Sequence, residues 1–240
     1  MMSILDNRVV LITGATGGLG RVVTRRFLVE GAKVAAVYRS EDKFRNLVEY
    51  VGHNPTLEGF KADVTDANSV ASLVDAVIKE HGRVDILLNI AGGYTGGKPL
   101  PEAEETALDQ MVTLNTKSAY LCSRAVIPNM IERNFGRIVN ISAKNATPKG
   151  RRAGNVAYAI SKGGVITLTE ALAEEVSKYD INVNCVMPST IDTPDNRAQM
   201  PKADTSKWVN PEDIAEVILF LSSDDSKTIS GSSIPVYGKS

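Results

Sequence analysis

The feature that most constrains the fold is a glycine-rich turn that joins a strand to a helix near the N-terminus. A β-branched apolar run at residues 8–12 leads into Thr-Gly-Ala-Thr-Gly-Gly-Leu-Gly at residues 13–20, and a helical pattern follows to about residue 30. Glycine lets the backbone approach a pyrophosphate, and the N-terminus of a helix offers free N–H groups and a positive dipole end. An ordinary strand-to-helix turn can carry glycines too, but the order strand, turn, helix favours a phosphate-binding site.

Strands and helices alternate along the rest of the chain. Apolar runs predict further strands at residues 33–38, 57–62, 84–88, 138–141, 181–187 and 234–236. Helical spacing predicts helices at residues 41–51, 66–80, 156–179 and 211–222, and a long helix that is broken near residues 108–111 and reaches residue 133. Repeated βα units predict the α/β class, as a doubly wound parallel sheet of seven strands (a Rossmann fold) with helices on both faces. Residues 1–240 contain no linker or repeat and form one predicted domain.

Two connections are longer than a compact α/β domain requires. They lie at about residues 144–155 and 189–210, and each follows the carboxyl end of a predicted strand. Ligands of open α/β sheets bind at these ends, so both connections are predicted to be loops that form the substrate walls. Lys149, Arg151 and Arg152 at the tip of the first loop are either a contact for an anionic substrate or a solvated charge cluster.

Composition narrows the classes of function. With 240 residues, a net charge of −1 and 43% hydrophobic residues, the chain is expected to be soluble and to bind neither nucleic acid nor membrane. Cys122 and Cys185 lie in apolar runs, which indicates buried thiols in a reducing compartment. The N-terminus lacks a signal-peptide pattern, so we expect a cytoplasmic location. His53 and His81 suggest no metal cluster, and no metal is expected.

The chemistry is indicated by Tyr158 and Lys162, which are four residues apart on one face of a predicted helix. An ammonium beside a phenol favours the phenolate and is expected to lower the pKa of the tyrosine. Such a tyrosine can exchange a proton with a substrate oxygen while a hydride moves at the neighbouring carbon. The same spacing also occurs on surface helices, so the pair gains its weight from the motifs around it.

Taken together, these motifs resemble those of the short-chain dehydrogenase/reductase family, in its single-domain branch. The resemblance covers essentially the whole chain: the glycine-rich turn, Asn89-Ile90-Ala91-Gly92, Asn115, Ser142, and Tyr158 with Lys162. It implies that Tyr158 is the acid/base, that Lys162 lowers its pKa and binds the nicotinamide ribose, that Ser142 steadies the substrate oxygen, and that Asn115 holds a water linked to Lys162. Two preplaced O–H donors would stabilise the charge that hydride arrival places on oxygen.

The resemblance and the glycine-rich turn together imply a set of cofactor-binding residues. They are Gly14, Thr16, Gly18, Leu19, Gly20, Arg39, Ser40, Asp63, Val64, Asn89, Ala91, Gly92, Tyr158, Lys162, Pro188, Ile191 and Thr193. The chain departs from the family pattern where Ile90 replaces a second asparagine and where Pro188-Ser189 replaces Pro-Gly. Ser142 and Tyr158 are sixteen positions apart, which is more than usual and implies an enlarged loop.

The charges that follow the second predicted strand distinguish NADP(H) from NAD(H) as the cofactor. A carboxylate after the second strand would bond the adenosine ribose and repel a 2′-phosphate, but the residue at that place is Tyr38, followed by Arg39 and Ser40. Arg39 offers a planar fork for a phosphate, so the sequence favours NADP(H). If Arg39 instead stacks on adenine, the site would tolerate NAD as well.

The substrate side has a second, narrower likeness. Residues 188–208 and 91–97 are similar to loops of dihydropteridine reductases, which implies a quinonoid pterin as an alternative substrate. The main hypothesis is reversible reduction of a small ketone, aldehyde or 3-oxoacyl compound. A third hypothesis is a non-catalytic, cofactor-binding regulator. The family resemblance also implies a homo-oligomer, either a dimer or a tetramer.

Overall fold

The structure is a computed structural model that describes residues 3–239. Its strands are β1 Val9–Thr13, β2 Lys33–Tyr38, β3 Leu57–Lys61, β4 Ile86–Asn89, β5 Gly136–Ile141, β6 Ile181–Pro188 and β7 Ser233–Val236. Its helices are α1 Gly18–Val29, α2 Glu41–Val51, α3 Ala67–His81, α4 Ala107–Met111, α5 Ser118–Glu132, α6 Val156–Glu175, α7 Pro194–Gln199 and α8 Pro211–Ser222. Single 3₁₀ turns lie at Leu100–Glu102, Lys144–Ala146, Thr205–Lys207 and Asp224–Ser226.

The strands form one parallel sheet in the order β3-β2-β1-β4-β5-β6-β7, which confirms the predicted fold class. The strand order changes direction between β1 and β4, where Thr13 lies opposite Asn89. At such a point the connections leave toward opposite faces of the sheet and open a crevice beyond the carboxyl ends of the strands. The fold therefore places the crevice directly beside the glycine-rich turn.

Helices cover both faces of the sheet. Strand β1 shows this, because its alternate side chains pack into two different cores. Val10 and Ile12 pack into a core with α1 and α8, whereas Val9 and Leu11 pack into a core with α3 and α5. Successive side chains of a strand point to opposite faces, so a run that is apolar at every position is buried on both sides. The continuous apolar character of β1 follows from this double burial.

The predicted break in the long central helix is wrong. Helix α4 continues through a π-helical segment, Val112–Lys117, into α5 without leaving helical geometry. A π segment adds a residue to the helical turn and shifts the direction of the side chains on it. Asn115 lies on this segment and is buried.

Several other boundaries differ from the sequence prediction by one or two residues, and the larger differences are at the end of α6 and in the loop after β6. Helix α6 ends at Glu175, because Tyr179 donates a backbone hydrogen bond to the carbonyl of Val176 in a turn that enters β6. The predicted loop at residues 189–210 contains the short helix α7, which Thr193 caps by accepting a hydrogen bond from Asn196 N (3.3 Å). A helix of six residues has too few positions for a periodic pattern to reveal it.

Candidate active site

The glycine-rich turn has the geometry of a phosphate-binding turn. Gly14 has a φ of +67°, and a Cβ at Gly20 would overlap the carbonyl oxygen of Gly14. Helix α1 begins after Gly17, which has no side chain to cap the first turn. The turn and the first residues of α1 line a cleft, so the uncapped N–H groups are available to the pyrophosphate of a dinucleotide.

This cleft has a volume of about 1110 Å³ and crosses the carboxyl ends of the strands. It brings together nearly all of the predicted site residues. They are Gly14, Thr16, Gly18, Leu19, Gly20, Arg39, Ser40, Asp63, Val64, Ala91, Gly92, Ser142, Tyr158, Lys162, Pro188, Ile191 and Thr193. Asn89 and Asn115 are not among the residues that line it.

Thr13 ties the glycine-rich turn to the segment after β4. Its hydroxyl accepts hydrogen bonds from the N–H groups of Ile90 (3.1 Å) and Ala91 (3.2 Å) and donates to the carbonyl of Leu88 (3.3 Å). A Cβ on Gly14 would lie 2.8 Å from the nitrogen of Ala91. Thr13 was not among the predicted site residues, because its role exists only once β1 and β4 are neighbours.

Asn89 lies behind the cleft rather than in it. Its side-chain amide donates to Asn140 Oδ1 (2.8 Å) and Ser123 Oγ (3.2 Å), and the residue is only 4% exposed. These bonds join β4 to β5 and α5. The side chain of Asn89 therefore connects neighbouring elements at the carboxyl ends of the strands, and its contact with a cofactor stays a prediction.

Asn115 grips the backbone of Gly93. Its Oδ1 accepts from the N–H of Gly93 (2.9 Å), and its Nδ2 donates to the carbonyl of Gly93 (3.1 Å) and to Ser161 Oγ (3.0 Å). A Cβ on Gly92 would lie 2.7 Å from Asn115 Oδ1 and 3.2 Å from Lys162 Nζ. Asn115 thus stands one residue behind the cleft, next to the ammonium of Lys162.

Ser142 and Lys162 are linked through the backbone. The hydroxyl of Ser142 donates to the carbonyl of Lys162 (2.7 Å), and the ammonium of Lys162 donates to the carbonyl of Ile141 (2.8 Å). Lys162 is 6% exposed, and burial lowers its pKa to about 8. Helix α6 and the end of β5 are thereby held together at the point where the two polar groups meet the cleft.

Tyr158 has the opposite pKa shift from the predicted one. Burial, with a smaller contribution from Tyr94, raises the pKa of Tyr158 to about 12. The expected lowering of the pKa of Tyr158 by Lys162 is absent, and the ammonium of Lys162 donates to the carbonyl of Ile141. At neutral pH the phenol of Tyr158 is protonated, which is the form that can donate a proton.

The other end of the cleft carries Arg39, Ser40 and Asp63. Arg39 is exposed, and Ser40 caps α2 by accepting from the N–H of Lys43 (3.5 Å). The carboxylate of Asp63 accepts hydrogen bonds from the hydroxyl (2.7 Å) and the N–H (2.9 Å) of Thr65, which hold its pKa below the ordinary value. Asp63 is thus partly occupied as a strand-end cap while it lines the cleft.

The substrate side contains residues that sequence reasoning missed. Tyr94, Asn145, Asn196, Gln199 and Met200 also line the cleft. Tyr94 and the neighbouring glycines follow a recognised motif, so a signal for it was present. The residues of α7 were predicted only collectively, as part of the substrate wall at residues 189–210, because the place of each one at the cleft depends on the path of the chain after β6.

Thr193 connects α7 to the glycine-rich turn. A Cβ on Gly18 would lie 2.8 Å from Thr193 Cγ2, so the two segments are in close contact across the cleft.

None of the helices within residues 3–239 has both the length and the apolar character that a membrane span requires. No group of three or more potential metal ligands occurs within residues 3–239.

Comparison with known proteins agrees with this geometry. The profile of the family described as short chain dehydrogenase matches residues 8–204. The chain is 36% identical to (2S)-[(R)-hydroxy(phenyl)methyl]succinyl-CoA dehydrogenase subunit BbsD of Thauera aromatica, over 98% of this chain and 96% of that one. It is 34% identical to 3-oxoacyl-[acyl-carrier-protein] reductase FabG of Thermotoga maritima, with 98% of each chain covered.

A solved structure shows the same likeness. Levodione reductase superposes with a TM-score of 0.89 and 28% identity, over 98% of this chain and 97% of that one. Related proteins of this family are dehydrogenases and reductases that use nicotinamide cofactors. The likeness of the substrate loops to dihydropteridine reductases stays a prediction. The profile match, the two curated relatives and the seven-stranded fold show that the chain belongs to the short-chain dehydrogenase/reductase family and is an oxidoreductase.

Proposed function

We propose that the protein is an NADP(H)-dependent oxidoreductase that acts on a small carbonyl compound or the corresponding alcohol, with Tyr158 as the acid/base. The observation that carries this proposal is the convergence of Ser142, Tyr158 and Lys162 on the cleft that begins at the glycine-rich turn. A ligand held at the turn and extended along the cleft would present its far end to these three side chains. Asn115 acts from behind them through Gly93.

The chain's own residues would handle the proton while a bound nicotinamide supplies or accepts the hydride. The phenol of Tyr158 is protonated at neutral pH and can donate to the oxygen of a carbonyl as charge develops there. The hydroxyl of Ser142 would become a second donor by turning from the carbonyl of Lys162 toward the substrate. Lys162 uses one of its N–H groups on Ile141, which leaves others for a ribose hydroxyl.

The preference for NADP(H) rests on the charges at the adenosine end. Arg39 and Lys43 both line the cleft there, and Arg39 makes no ion pair with any described residue. The nearby acid Glu41 does not line the cleft; it accepts a hydrogen bond from Tyr38 (3.1 Å) and lies 3.6 Å from Lys61. A 2′-phosphate would therefore meet two cations and no repelling carboxylate except Asp63, which is held by Thr65.

The substrate class is supported by relatives with different substrates. Besides the 3-oxoacyl reductase, the chain is 33% identical to D-threitol dehydrogenase of Mycolicibacterium smegmatis, over 98% of this chain and 93% of that one. Their names share a carbonyl or alcohol carbon as the reacting centre. A small ketone, aldehyde or 3-oxoacyl compound accordingly fits this site.

The test is turnover of NADPH and NADH with a panel of ketones, aldehydes, polyols and 3-oxoacyl thioesters, for wild type and Tyr158→Phe. We expect Tyr158→Phe to lower kcat by at least about 100-fold, because general acid catalysis is lost. The dissociation constant of NADPH, read by fluorescence, should change much less than kcat, because the glycine-rich turn and Arg39 are unaltered. Full turnover by Tyr158→Phe would contradict the proposal.

The same proposal includes assembly into dimers or tetramers in the cytoplasm. Exposed apolar side chains lie on the outer surface of the central helices and the segment before them: Leu100, Leu108, Tyr120 and Ile160. Such side chains are typical of surfaces that another protein covers. Light scattering coupled to gel filtration would detect the oligomer, and a mass near 25.8 kDa would contradict it.

A further inference from the structure

The short turn at residues 93–97 is held rigidly at both ends. Asn115 binds the N–H and the carbonyl of Gly93 (2.9 and 3.1 Å), and the N–H of Gly97 donates to the carbonyl of Gly154 (2.7 Å). The first anchor lies on the π-helical segment, and the second lies on the enlarged loop before α6. Tyr94 is therefore presented from a backbone that both neighbouring elements restrain.

The side chain of Tyr94 contacts the proposed acid directly. Its ring meets the ring of Tyr158 edge to face, with centroids 5.1 Å apart and planes at 80°. Its hydroxyl donates to Asn155 Oδ1 at 2.6 Å. Tyr94 is 56% exposed, but Asn155 is only 8% exposed, so an otherwise mobile surface ring is tied to a buried acceptor. Edge-to-face packing fixes the relative orientation of two rings.

Asn155 stands at the N-cap position of α6, but its side chain does not cap the helix. By contrast, Ser40, Asp66, Thr193 and Asn210 each accept a backbone N–H at the start of their helices. Asparagine is among the best N-caps. The side chain of Asn155 instead accepts from Tyr94 and donates to the carbonyl of Arg151 (3.2 Å).

The sequence also leaves room for this pair. A Cβ on Gly96 would overlap Asn155 Oδ1 and would lie 2.8 Å from the hydroxyl oxygen of Tyr94. Any other residue at position 96 would push the two groups apart unless the backbone moved. The glycine is thus required by the contact between Tyr94 and Asn155.

From these contacts we infer that Tyr94 is a positioning residue for Tyr158 and that Asn155 holds it in place. The enlarged loop at residues 144–155 has the function of carrying the acceptor that holds Tyr94. This inference rests on the proposed function, since it concerns the orientation of the same acid. Small displacements of a catalytic group reduce rates strongly. The glycine-rich turn, which Tyr94 does not contact, would still bind the cofactor.

The experiment compares Tyr94→Phe, Tyr94→Leu and Asn155→Ala in the full chain, with the carbonyl substrate found in the panel. Tyr94→Phe keeps the ring and loses the hydrogen bond, so kcat should fall about 3- to 10-fold with little change in KM. Tyr94→Leu also removes the ring and should lower kcat about 30-fold or more. The NADPH dissociation constant should stay within twofold for both. Tyr50→Phe, on α2 and outside the cleft lining, is the matched control and should behave as wild type.

A double-mutant cycle separates positioning from a general loss of structure. If Tyr94 and Asn155 act as one unit, Tyr94→Phe combined with Asn155→Ala should lower kcat no further than the stronger single change. Gly96→Ala, which keeps both side chains, should reproduce the loss in kcat. The inference would be overturned if the losses in kcat of Tyr94→Phe and Asn155→Ala multiplied in the double variant, or if Tyr94→Leu had the kcat of wild type. These outcomes leave the Tyr158→Phe result untouched, so failure here is distinct from failure of the proposed function.

Discussion

The two ends of the cleft are built by different means. At the cofactor end, a strand, a glycine-rich turn and the N-terminus of α1 present backbone N–H groups from one continuous stretch of sequence, although Thr13 and Gly14 also contact the segment after β4. At the substrate end, side chains hold irregular segments: Asn115 grips Gly93, and Asn155 holds Tyr94 and Arg151. The phosphate-binding part of the first end is built mainly from one continuous stretch of sequence, whereas the second end depends on residues brought together from three separate parts of the chain.

Because they are built differently, the two ends of the cleft should tolerate different kinds of sequence variation. Backbone N–H groups bind a phosphate whatever the neighbouring side chains are, so the cofactor end can be the same in proteins with different substrates. The substrate end can change with each loop, provided that side-chain bonds keep Tyr158 oriented. Relatives named as a 3-oxoacyl-[acyl-carrier-protein] reductase and as a D-threitol dehydrogenase match nearly the whole chain, which agrees with this division.

The largest expected effect is at the cofactor end. In Gly20→Ala the new Cβ would overlap the carbonyl oxygen of Gly14, so the backbone of the turn must shift. We expect the dissociation constant of NADPH to rise about 100-fold and unfolding stability to fall by about 1–3 kcal/mol. Gly163→Ala, also helical but with no atom within 4 Å of the added Cβ, should stabilise by about 0.5–1 kcal/mol. Unchanged NADPH binding in Gly20→Ala would contradict the assignment of the glycine-rich turn as the phosphate-binding end of the cleft.

The next effect concerns the choice of cofactor. Arg39→Gln removes a cation that lines the adenosine end and keeps a long polar side chain. A hydrogen bond to a charged group contributes about 1.5–3 kcal/mol, so the KM for NADPH should rise about 10- to 100-fold. The KM for NADH should stay within about twofold, because it has no 2′-phosphate. Equal changes for both cofactors would show that Arg39 stacks on adenine instead.

Lys162 lies between the two ends and predicts a pH effect on stability. Its pKa is lowered to about 8 from 10.5, so between these values the unfolded chain binds more protons than the folded one. Stability should therefore rise with pH in this window, by up to about 2 kcal/mol between pH 8 and 9.5. Chemical denaturation at pH 8 and pH 9.5, for wild type and Lys162→Met, measures the free energy of unfolding at each pH. The prediction is contradicted if this free energy changes equally with pH in the two proteins.

The smallest effect is expected at the tip of the substrate loop. Lys149, Arg151 and Arg152 do not line the cleft, and Arg151 and Arg152 are exposed. Replacing all three by Gln should change kcat/KM for an uncharged ketone by less than about twofold and stability by about 0.5 kcal/mol at most. Rates and thermal melts test this expectation. A larger loss confined to anionic substrates would sharpen the comparison, because it would give this end a charged contact.

Much of the fold was predictable because its signals are local. Strand β2 and helices α2 and α8 have the predicted bounds, since each is a periodic run ended by a cap or turn. The π-helical segment and helix α7 were not predictable, because one depends on packing against α6 and the other has six residues. The placement of most of the site at one cleft followed from motif order, but the contacts of Asn89 and Asn115 did not.

By itself, the sequence determined the alternation of strands and helices, the phosphate-binding turn and the spacing of Tyr158 and Lys162, because each is a pattern of near neighbours. The pKa of Tyr158, which burial raises to about 12, could not be read from the sequence, because burial depends on tertiary packing. Only the tertiary structure decided that Tyr94 meets Tyr158 while Asn155 holds it. These properties depend on distances between residues far apart in the chain, and such distances exist only after folding.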